Sequence, residues 1–296
     1  NPDVELPVFD LTHLQNPVQE AYRLGELIRS TPMPVTGPLF KFALFQTRPD
    51  EFYWLLCFHH LVVDGVGTVL FANRVAAIYS ALVSDQPVAP AFFGSLKDFV
   101  SWEADYEASS EYSDDLSYWS ENLPPESPQY LTQTVGERNS CSVSESVHLD
   151  SSIVQRVHEL SGSLGMRRSS VITAACALLV RGWRAEGSQV VLDFPVNRRV
   201  SAESFSFPGM VSGIVPLVLT VSPESSVAAF CNHVDARIRE AVQHQRFPVR
   251  DLERKANRGG ARSAPDRVGV NFVPSITTLP FGDAPTSGSV TRFGRV

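Results

Sequence analysis

The chain has 296 residues, of which 43% are hydrophobic and 19% are charged, and its formal net charge is −7. This composition is typical of a globular protein with one large domain or two lobes. The acidic balance, with a sequence pI of about 5.5, excludes the basic footprint of a nucleic-acid-binding protein. No polybasic run indicates a membrane surface, and no segment is uniformly apolar over the length that spans a bilayer.

The cysteine pattern indicates free thiols. Cys57, Cys141, Cys176 and Cys231 form no CxxC pair, and their spacing fits neither a zinc site nor a disulfide framework. The first residues also lack the basic and then apolar order of a signal peptide. These features predict a cytoplasmic protein. The chain begins without Met and ends in TRFGRV, so we expect it to be a fragment of a longer polypeptide.

The predicted elements alternate between helix and strand through two halves of the chain. Apolar residues at helical spacing predict helices over 17–30, 66–82, 95–109, 112–123, 151–164, 169–184 and 225–245. Short apolar runs predict strands over 38–47, 51–60, 142–150, 188–196, 213–221 and 266–275. We expect strand 51–60 to be buried on both faces and to form a hairpin with strand 38–47, and helix 169–184 to be buried all round. A stretch rich in Pro, Ser, Thr and Gln after residue 123 predicts a linker.

The stretch FHHLVVDGVGT, Phe58–Thr68, lies where a predicted strand ends and a predicted helix begins. His59 and His60 occupy opposite sides of an extended backbone, so they serve different roles. An imidazole at the mouth of a cleft accepts or positions a proton near neutral pH. Asp64 can brace the loop by pairing with a cation. Gly65 lacks the Cβ that would keep a substrate away from the backbone.

Three other interpretations of this stretch are open on the residues alone. Cys57 shares the side of His59, as a Cys–His nucleophile pair requires, although nothing nearby would lower the pKa of the thiol. His60 and Asp64 would supply two ligands of a metal site, but spacing places no third. A histidine packed in the core and followed by an Asp-Gly turn is the simplest structural interpretation.

HHLVVDG resembles the HHxxxDG signature of the condensation domains of nonribosomal peptide synthetases, which are related to chloramphenicol acetyltransferase. The flanking stretches GPLFKFALFQ, DGVGTVLFANRVAAIYSAL, FVSWEADY, YWSENL and VVLDFPVNRR are similar to segments at corresponding places in that family. HQRFPVRDLERKA resembles the HQDxPFExLV segment, with Arg246 where the pattern has Asp. VSGIVPLVL departs from a VNTLPLR-like stretch, because Ser212 and Gly213 stand where Asn and Thr are usual. The resemblance spans nearly the whole chain.

The resemblance implies an α/β fold of the chloramphenicol acetyltransferase type: two lobes in a V, mixed sheets flanked by helices, and an active-site tunnel between the lobes. Residues 1–124 would be the remainder of the N-terminal lobe, 125–139 a linker, and 140–296 most of the C-terminal lobe. The family's domain is longer at both ends. The arginine that pairs with the motif aspartate is expected before Asn1, and Arg198 and Arg199 are candidate substitutes for it.

The resemblance also implies an acyltransferase that forms an amide bond. The amine of an acceptor aminoacyl thioester would attack a donor acyl or peptidyl thioester, both carried on phosphopantetheine arms. His60 would be the catalytic residue, as a base or as an anchor for the amine, while His59, Asp64 and Gly65 would shape the motif. We expect no metal and no cofactor bound by the domain itself. The partners would be donor and acceptor carrier proteins and adjacent synthetase domains, without nucleic acid or membrane.

Three other functions share these features to different degrees. An epimerization domain uses the same motif to invert an α-carbon on one carrier-bound substrate. A free-standing acyltransferase of the same fold would use acyl-CoA. A non-catalytic docking module for carrier proteins belongs to a different class, and it would have no need of an intact His, Asp and Gly set.

Overall fold

The computed structural model describes residues 4–124, 146–183, 187–256, 267–273 and 279–288. These residues form two compact units. The first contains residues 4–75 together with 208–210, and the second contains the other described residues.

The first unit is built on a three-stranded sheet. Its elements are β1 (Val8–Asp10), α1 (Pro17–Ser30), β2 (Phe40–Arg48), β3 (Glu51–Phe58) and the first part of α2 (Gly65–Val83). The strand order is β1-β2-β3, with β1 parallel and β3 antiparallel to β2. The predicted helix over 17–30 and the predicted hairpin are therefore confirmed.

Each face of this sheet carries apolar side chains. On one face, α1 packs against β2 around Ala21, Ala43 and Phe45, which are all buried. On the other face, rings of the hairpin meet Phe71 of α2. The prediction that β3 is buried on both faces was wrong, because none of its residues is fully buried and Phe52 is 49% exposed. Among the described residues β3 is an edge strand, paired only with β2.

The second unit combines helices with a two-stranded sheet. Its elements after α2 are α3 (Leu96–Glu107), α4 (Ser110–Asn122), α5 (Ser151–Ser163), α6 (Arg168–Trp183), β4 (Gln189–Val196), α7 (Ala202–Ser206), β5 (Gly213–Thr220), α8 (Val227–Gln243) and α9 (Val249–Ala256). Strands β4 and β5 are antiparallel, and α6 and α8 pack on them. Helix starts follow local chemistry: side chains of Ser95, Ser109, Asp150 and Ser226 accept hydrogen bonds from first-turn N–H groups.

Three sequence predictions for this unit need correction. Helix α6 is buried on one side through Ala174 and Ala177, whereas Leu179 and Trp183 are exposed, so its apolar composition does not mean burial all round. Residues 146–150, the described part of the strand predicted over 142–150, form no strand. The strand predicted over 266–275 is reduced, in its described part, to one bridge between Gly269 and Asp193.

The packing groups α3 and α4 with the second unit. Trp119 of α4 is only 1% exposed and lies in the core formed by β4, β5, α6 and α8. The sequence instead assigned residues 1–124 to one lobe. The linker predicted over 125–139 lies outside the described residues, so the predicted division into lobes stays a prediction.

Helix α2 is the one described helix long and apolar enough to cross a membrane by length and composition. Helices α5 and α6 would pass the same test only as a pair, and they are bent by 111° at their junction. One such helix is weak evidence for a membrane span, because core helices of water-soluble proteins meet the same criteria.

Candidate active site

The histidine pair lies at the end of the β2–β3 hairpin. The His59 N–H donates to the Leu39 carbonyl at 2.9 Å, which extends the strand pairing one residue beyond β3. The Val62 N–H then donates to the His59 carbonyl at 3.1 Å and closes a turn. The loop from His59 to Asp64 is therefore short, and both of its ends are held by regular structure.

The two imidazoles have different surroundings. Nδ1 of His59 accepts a hydrogen bond from the Leu61 N–H at 3.1 Å, so this ring braces its own turn. Nδ1 of His60 is buried and has no hydrogen-bond partner among the described residues, although the side chain as a whole is partly exposed. A buried polar atom without a partner destabilises a fold by about 1–3 kcal/mol. Such atoms are rare in folded proteins and call for an explanation.

Asp64 joins this loop to α2. Its side chain is 3% exposed, and Oδ1 accepts a hydrogen bond from the Gly67 N–H at 2.8 Å. Its carbonyl accepts hydrogen bonds from the Thr68 N–H at 2.9 Å and the Thr68 hydroxyl at 3.0 Å. This is the geometry of a helix N-cap, and a carboxylate suits the positive end of a helix dipole. Asp64 therefore fixes the start of α2 to the loop that carries His60.

The two glycines beside Asp64 differ in the space around them. A Cβ at Gly65 would meet no other atom within 4 Å. A Cβ at Gly67 would lie 2.6 Å from Cγ2 of Val63 and 2.7 Å from the Pro208 carbonyl oxygen, so packing requires glycine there. Gly65 was predicted from the sequence as a site residue, whereas Gly67 was not. The only signal for Gly67 was the glycine itself, because its close neighbour Pro208 is distant in the sequence.

The structure does not favour the nucleophile or metal interpretations. Burial raises the pKa of the Cys57 thiol, which disfavours the thiolate that a nucleophile requires. The described residues include no group of three His, Cys, Asp or Glu side chains that could hold a metal ion. Cys57, Cys176 and Cys231 are free, and Cys141 lies outside the described residues.

A second polar cluster lies in the second unit, around the HQR segment. Asp115 is buried, accepts a hydrogen bond from the Tyr106 hydroxyl at 2.6 Å, and lies 2.7 Å from Nδ1 of His244. Tyr118 stacks on the His244 ring, and Trp119 Nε1 donates to the His244 carbonyl at 2.8 Å. The aromatic residues of α3 and α4 thus anchor the turn between α8 and α9.

A family model described as Condensation domain matches residues 1–273 of the chain. The chain belongs to the Condensation domain family. It is 29% identical over 288 residues to the Dimodular nonribosomal peptide synthase of Bacillus subtilis (strain 168), covering 95% of the chain and 12% of that protein. It is also 29% identical over 293 residues to the Isonitrile lipopeptide synthase of Streptomyces coeruleorubidus, covering 96% and 20% respectively. The chain therefore spans only 12% and 20% of the length of these two synthases.

Solved condensation domains have the same fold. The first condensation domain of the calcium-dependent antibiotic synthetase, in complex with a substrate analogue, matches with a TM-score of 0.79 and 28% identity over 96% of the chain and 65% of that structure. A mutant of the starter condensation domain of rhizomide synthetase, in complex with C8-CoA, matches with a TM-score of 0.73 and 28% identity, covering 91% and 60%. The predicted family and α/β fold class are confirmed.

Proposed function

We propose that the chain catalyses amide-bond formation as a condensation domain of a nonribosomal peptide synthetase. Family membership over residues 1–273 supports this proposal, as do relatives that are themselves peptide and lipopeptide synthases. The neighbour solved with C8-CoA supports an acyl donor. The substrates would arrive on the phosphopantetheine arms of donor and acceptor carrier proteins, and adjacent synthetase domains would be further partners.

The reaction is a transfer of an acyl group from sulfur to nitrogen. The acceptor amine attacks the donor thioester carbonyl, a C–N bond forms, and the C–S bond breaks. The nitrogen loses a proton, and the leaving thiolate of the donor arm gains one. Because a thioester is already activated, no covalent enzyme intermediate is needed. Orientation can supply an effective molarity of about 10⁵ M or more, and a positioned base adds about 10²–10⁴-fold.

His60 is the side chain that we assign to the proton, as a base or as a hydrogen-bond anchor for the amine. The observation that carries this assignment is its partly exposed ring with a buried, unpartnered Nδ1, held at the end of β3. A polar group kept at a cost to stability fits a catalytic role better than a packing role. His59, whose Nδ1 is engaged by its own turn, suits a structural role.

The start of α2 suits the developing negative charge on the carbonyl oxygen. First-turn N–H groups of a helix have no partner within the helix, and they lie at the positive end of its dipole. The Gly67 N–H is taken by Asp64. We assign the N–H groups nearer Gly65, where the space is open, to the oxyanion or to the pantetheine arm.

A cytoplasmic location fits this proposal. The described cysteines Cys57, Cys176 and Cys231 are free, and thiols remain reduced in that compartment.

The test is a single-turnover assay with the intact protein and carrier proteins loaded with a panel of fatty acyl, peptidyl and aminoacyl groups. Mass spectrometry of the acceptor arm measures the amide product. We expect His60→Ala to lower the rate at least about 100-fold, while the exposed control His158→Ala retains it. Wild-type turnover by His60→Ala would remove the proposed role of His60. Turnover with acyl-CoA and a free amine, without carriers, would instead favour the free-standing acyltransferase.

A further inference from the structure

Residues 267–270 lie along one edge of β4 in the second unit. The Asp193 N–H donates to the Val268 carbonyl at 3.0 Å, and the Val270 N–H donates to the Asp193 carbonyl at 3.0 Å. These two bonds make a parallel bridge between Asp193 and Gly269. Strand β5 pairs with β4 along its other edge. Residues 267–270, which we call the strap, therefore cover the edge of β4 that would otherwise be open among the described residues.

Few apolar contacts hold the strap in place. Val270 is 8% exposed and belongs to the core of the second unit. Val268 is 39% exposed, and Gly269 is exposed as well. Segments with few buried apolar groups open locally at a lower free energy than the fold around them. Polar contacts must therefore supply much of the attachment of the strap.

Four charged side chains join the strap to β4 and α9. Nη1 of Arg267 lies 3.4 Å from Oδ1 of Asp193 and 2.8 Å from Oε1 of Glu253. Nη2 of Arg250 lies 2.5 Å from Oδ2 of Asp193, and its Nη1 lies 3.0 Å from Oε2 of Glu253. Each carboxylate thus contacts both guanidinium groups. We call these four residues the ionic clip.

The ionic clip is buried but incompletely hydrogen-bonded. The side chains of Arg267, Glu253 and Asp193 are only 3%, 7% and 16% exposed. Nε of Arg267 is buried and has no hydrogen-bond partner among the described residues. An ion pair in such surroundings adds little net stability, whereas removing one partner is strongly destabilising because the other charge is left uncompensated. The clip therefore fixes the strap on β4 more than it stabilises the second unit.

The members of the clip differ in where they lie on the chain. Asp193 belongs to β4, Arg250 and Glu253 belong to α9, and Arg267 is the one member in the strap. When Arg267 leaves, Arg250 still contacts both carboxylates, so neither is left without a cation. Departure of the strap therefore costs less than the removal of a lone partner from a buried pair.

We infer that residues 267–270 form a releasable strap, which the ionic clip holds on the edge of β4 and which opens without unfolding of the rest of the second unit. Opening breaks both backbone bonds of Asp193 and leaves the edge of β4 unpaired. An unpaired strand edge accepts another extended segment. The strap is thus a conformational device that controls access to this edge.

Hydrogen exchange measured by mass spectrometry tests the inference in the intact protein. The closed strap protects the amide hydrogens of Asp193 and Val270. We expect both to exchange at least about tenfold faster than the amide of Val234, which lies fully buried in α8. Arg267→Met should accelerate exchange at Asp193 and Val270 by at least a further factor of about ten, with Val234 unchanged. Equal acceleration at all three positions, or wild-type exchange in Arg267→Met, would overturn the inference.

Two further variants separate the strap from α9. Arg250→Met leaves Arg267 in contact with both carboxylates, so exchange at Val270 should stay within about twofold of wild type. Arg254→Met, which removes an exposed ion pair of α9 with Asp251, is the matched control and should leave exchange unchanged. Exchange in Arg250→Met as fast as in Arg267→Met would show that the clip does not act through the strap, and would overturn the inference.

A conservative variant covers the case in which Arg267→Met does not fold. Arg267→Lys keeps the positive charge, but a single ammonium group replaces the planar guanidinium that contacts both carboxylates. We expect a smaller acceleration of exchange at Val270, by about three- to tenfold, with far-UV circular dichroism equal to that of wild type. Wild-type exchange at Val270 in a folded Arg267→Lys protein would contradict the role of the clip.

Discussion

Replacing Asp64 by alanine removes the cap that joins the His60 loop to α2. The lost contacts include the hydrogen bond from the Gly67 N–H to Oδ1, 2.8 Å long and buried. Loss of an N-cap side chain costs about 0.5–2 kcal/mol, and a buried N–H left without an acceptor costs about 1–3 kcal/mol. Both values describe the same bond, so we expect a loss of about 1–3 kcal/mol in the free energy of unfolding. For a chain of this size that lowers Tm by about 2–12 °C.

Thermal unfolding followed by circular dichroism measures this effect. Asp64→Asn keeps an oxygen that can accept from Gly67, so it should retain most of the stability. Asp150→Ala is the matched control, since Asp150 caps α5 through an exposed bond to the Ser152 N–H, and we expect a cost near the lower limit of about 0.5 kcal/mol. A Tm for Asp64→Ala equal to wild type, together with lost activity, would refute the cap argument and favour a chemical role.

Three further predictions concern individual side chains. Gly65→Ala should leave the free energy of unfolding unchanged, because its Cβ meets open space, yet lower the condensation rate. Gly67→Ala should lower the free energy of unfolding by at least about 1 kcal/mol, and a larger loss for Gly65→Ala than for Gly67→Ala would contradict the packing. His60→Phe removes the buried, unpartnered Nδ1, so it should raise the free energy of unfolding, measured by chemical denaturation, by about 1 kcal/mol while it abolishes condensation. A lower free energy of unfolding for His60→Phe would contradict a buried, unpartnered Nδ1. Burial lowers the pKa of His233 below its ordinary 6.5, and its Nε2 accepts a hydrogen bond from the Thr220 N–H. The unfolded chain therefore binds the proton more readily than the folded protein, and Tm should fall as the pH drops through and below 6.5. His233→Gln should flatten this dependence of Tm on pH.

Local patterns predicted the elements that depend on local chemistry. Helix α1 was placed at its observed limits, because Pro17 opens it and apolar residues recur at helical spacing. The β2–β3 hairpin followed from two apolar runs around a short turn. The motif's position between β3 and α2 followed from the same periodicities, so the place of His60 at a strand–helix junction could be predicted from the sequence.

Features that depend on distant partners could not be predicted. The apolar composition of β3 is the same whether or not another layer covers it, so its partial exposure was missed. Gly67 is required by the Pro208 carbonyl, and no local pattern places that oxygen there. The departures at Gly213 and Arg246 were visible in the sequence as differences from a pattern. Only the fold shows that both contact Arg198.

The contact between Asp115 and His244 has a consequence for building hybrid condensation domains. The two residues are 129 positions apart, yet they share a 2.7 Å contact, and the neighbouring Trp119 also donates to the backbone of His244. A crossover placed anywhere between them would take one half of this contact from each parent. Exchanged segments should therefore include both α4 and the turn after α8, or neither, so that Asp115 and His244 come from the same parent.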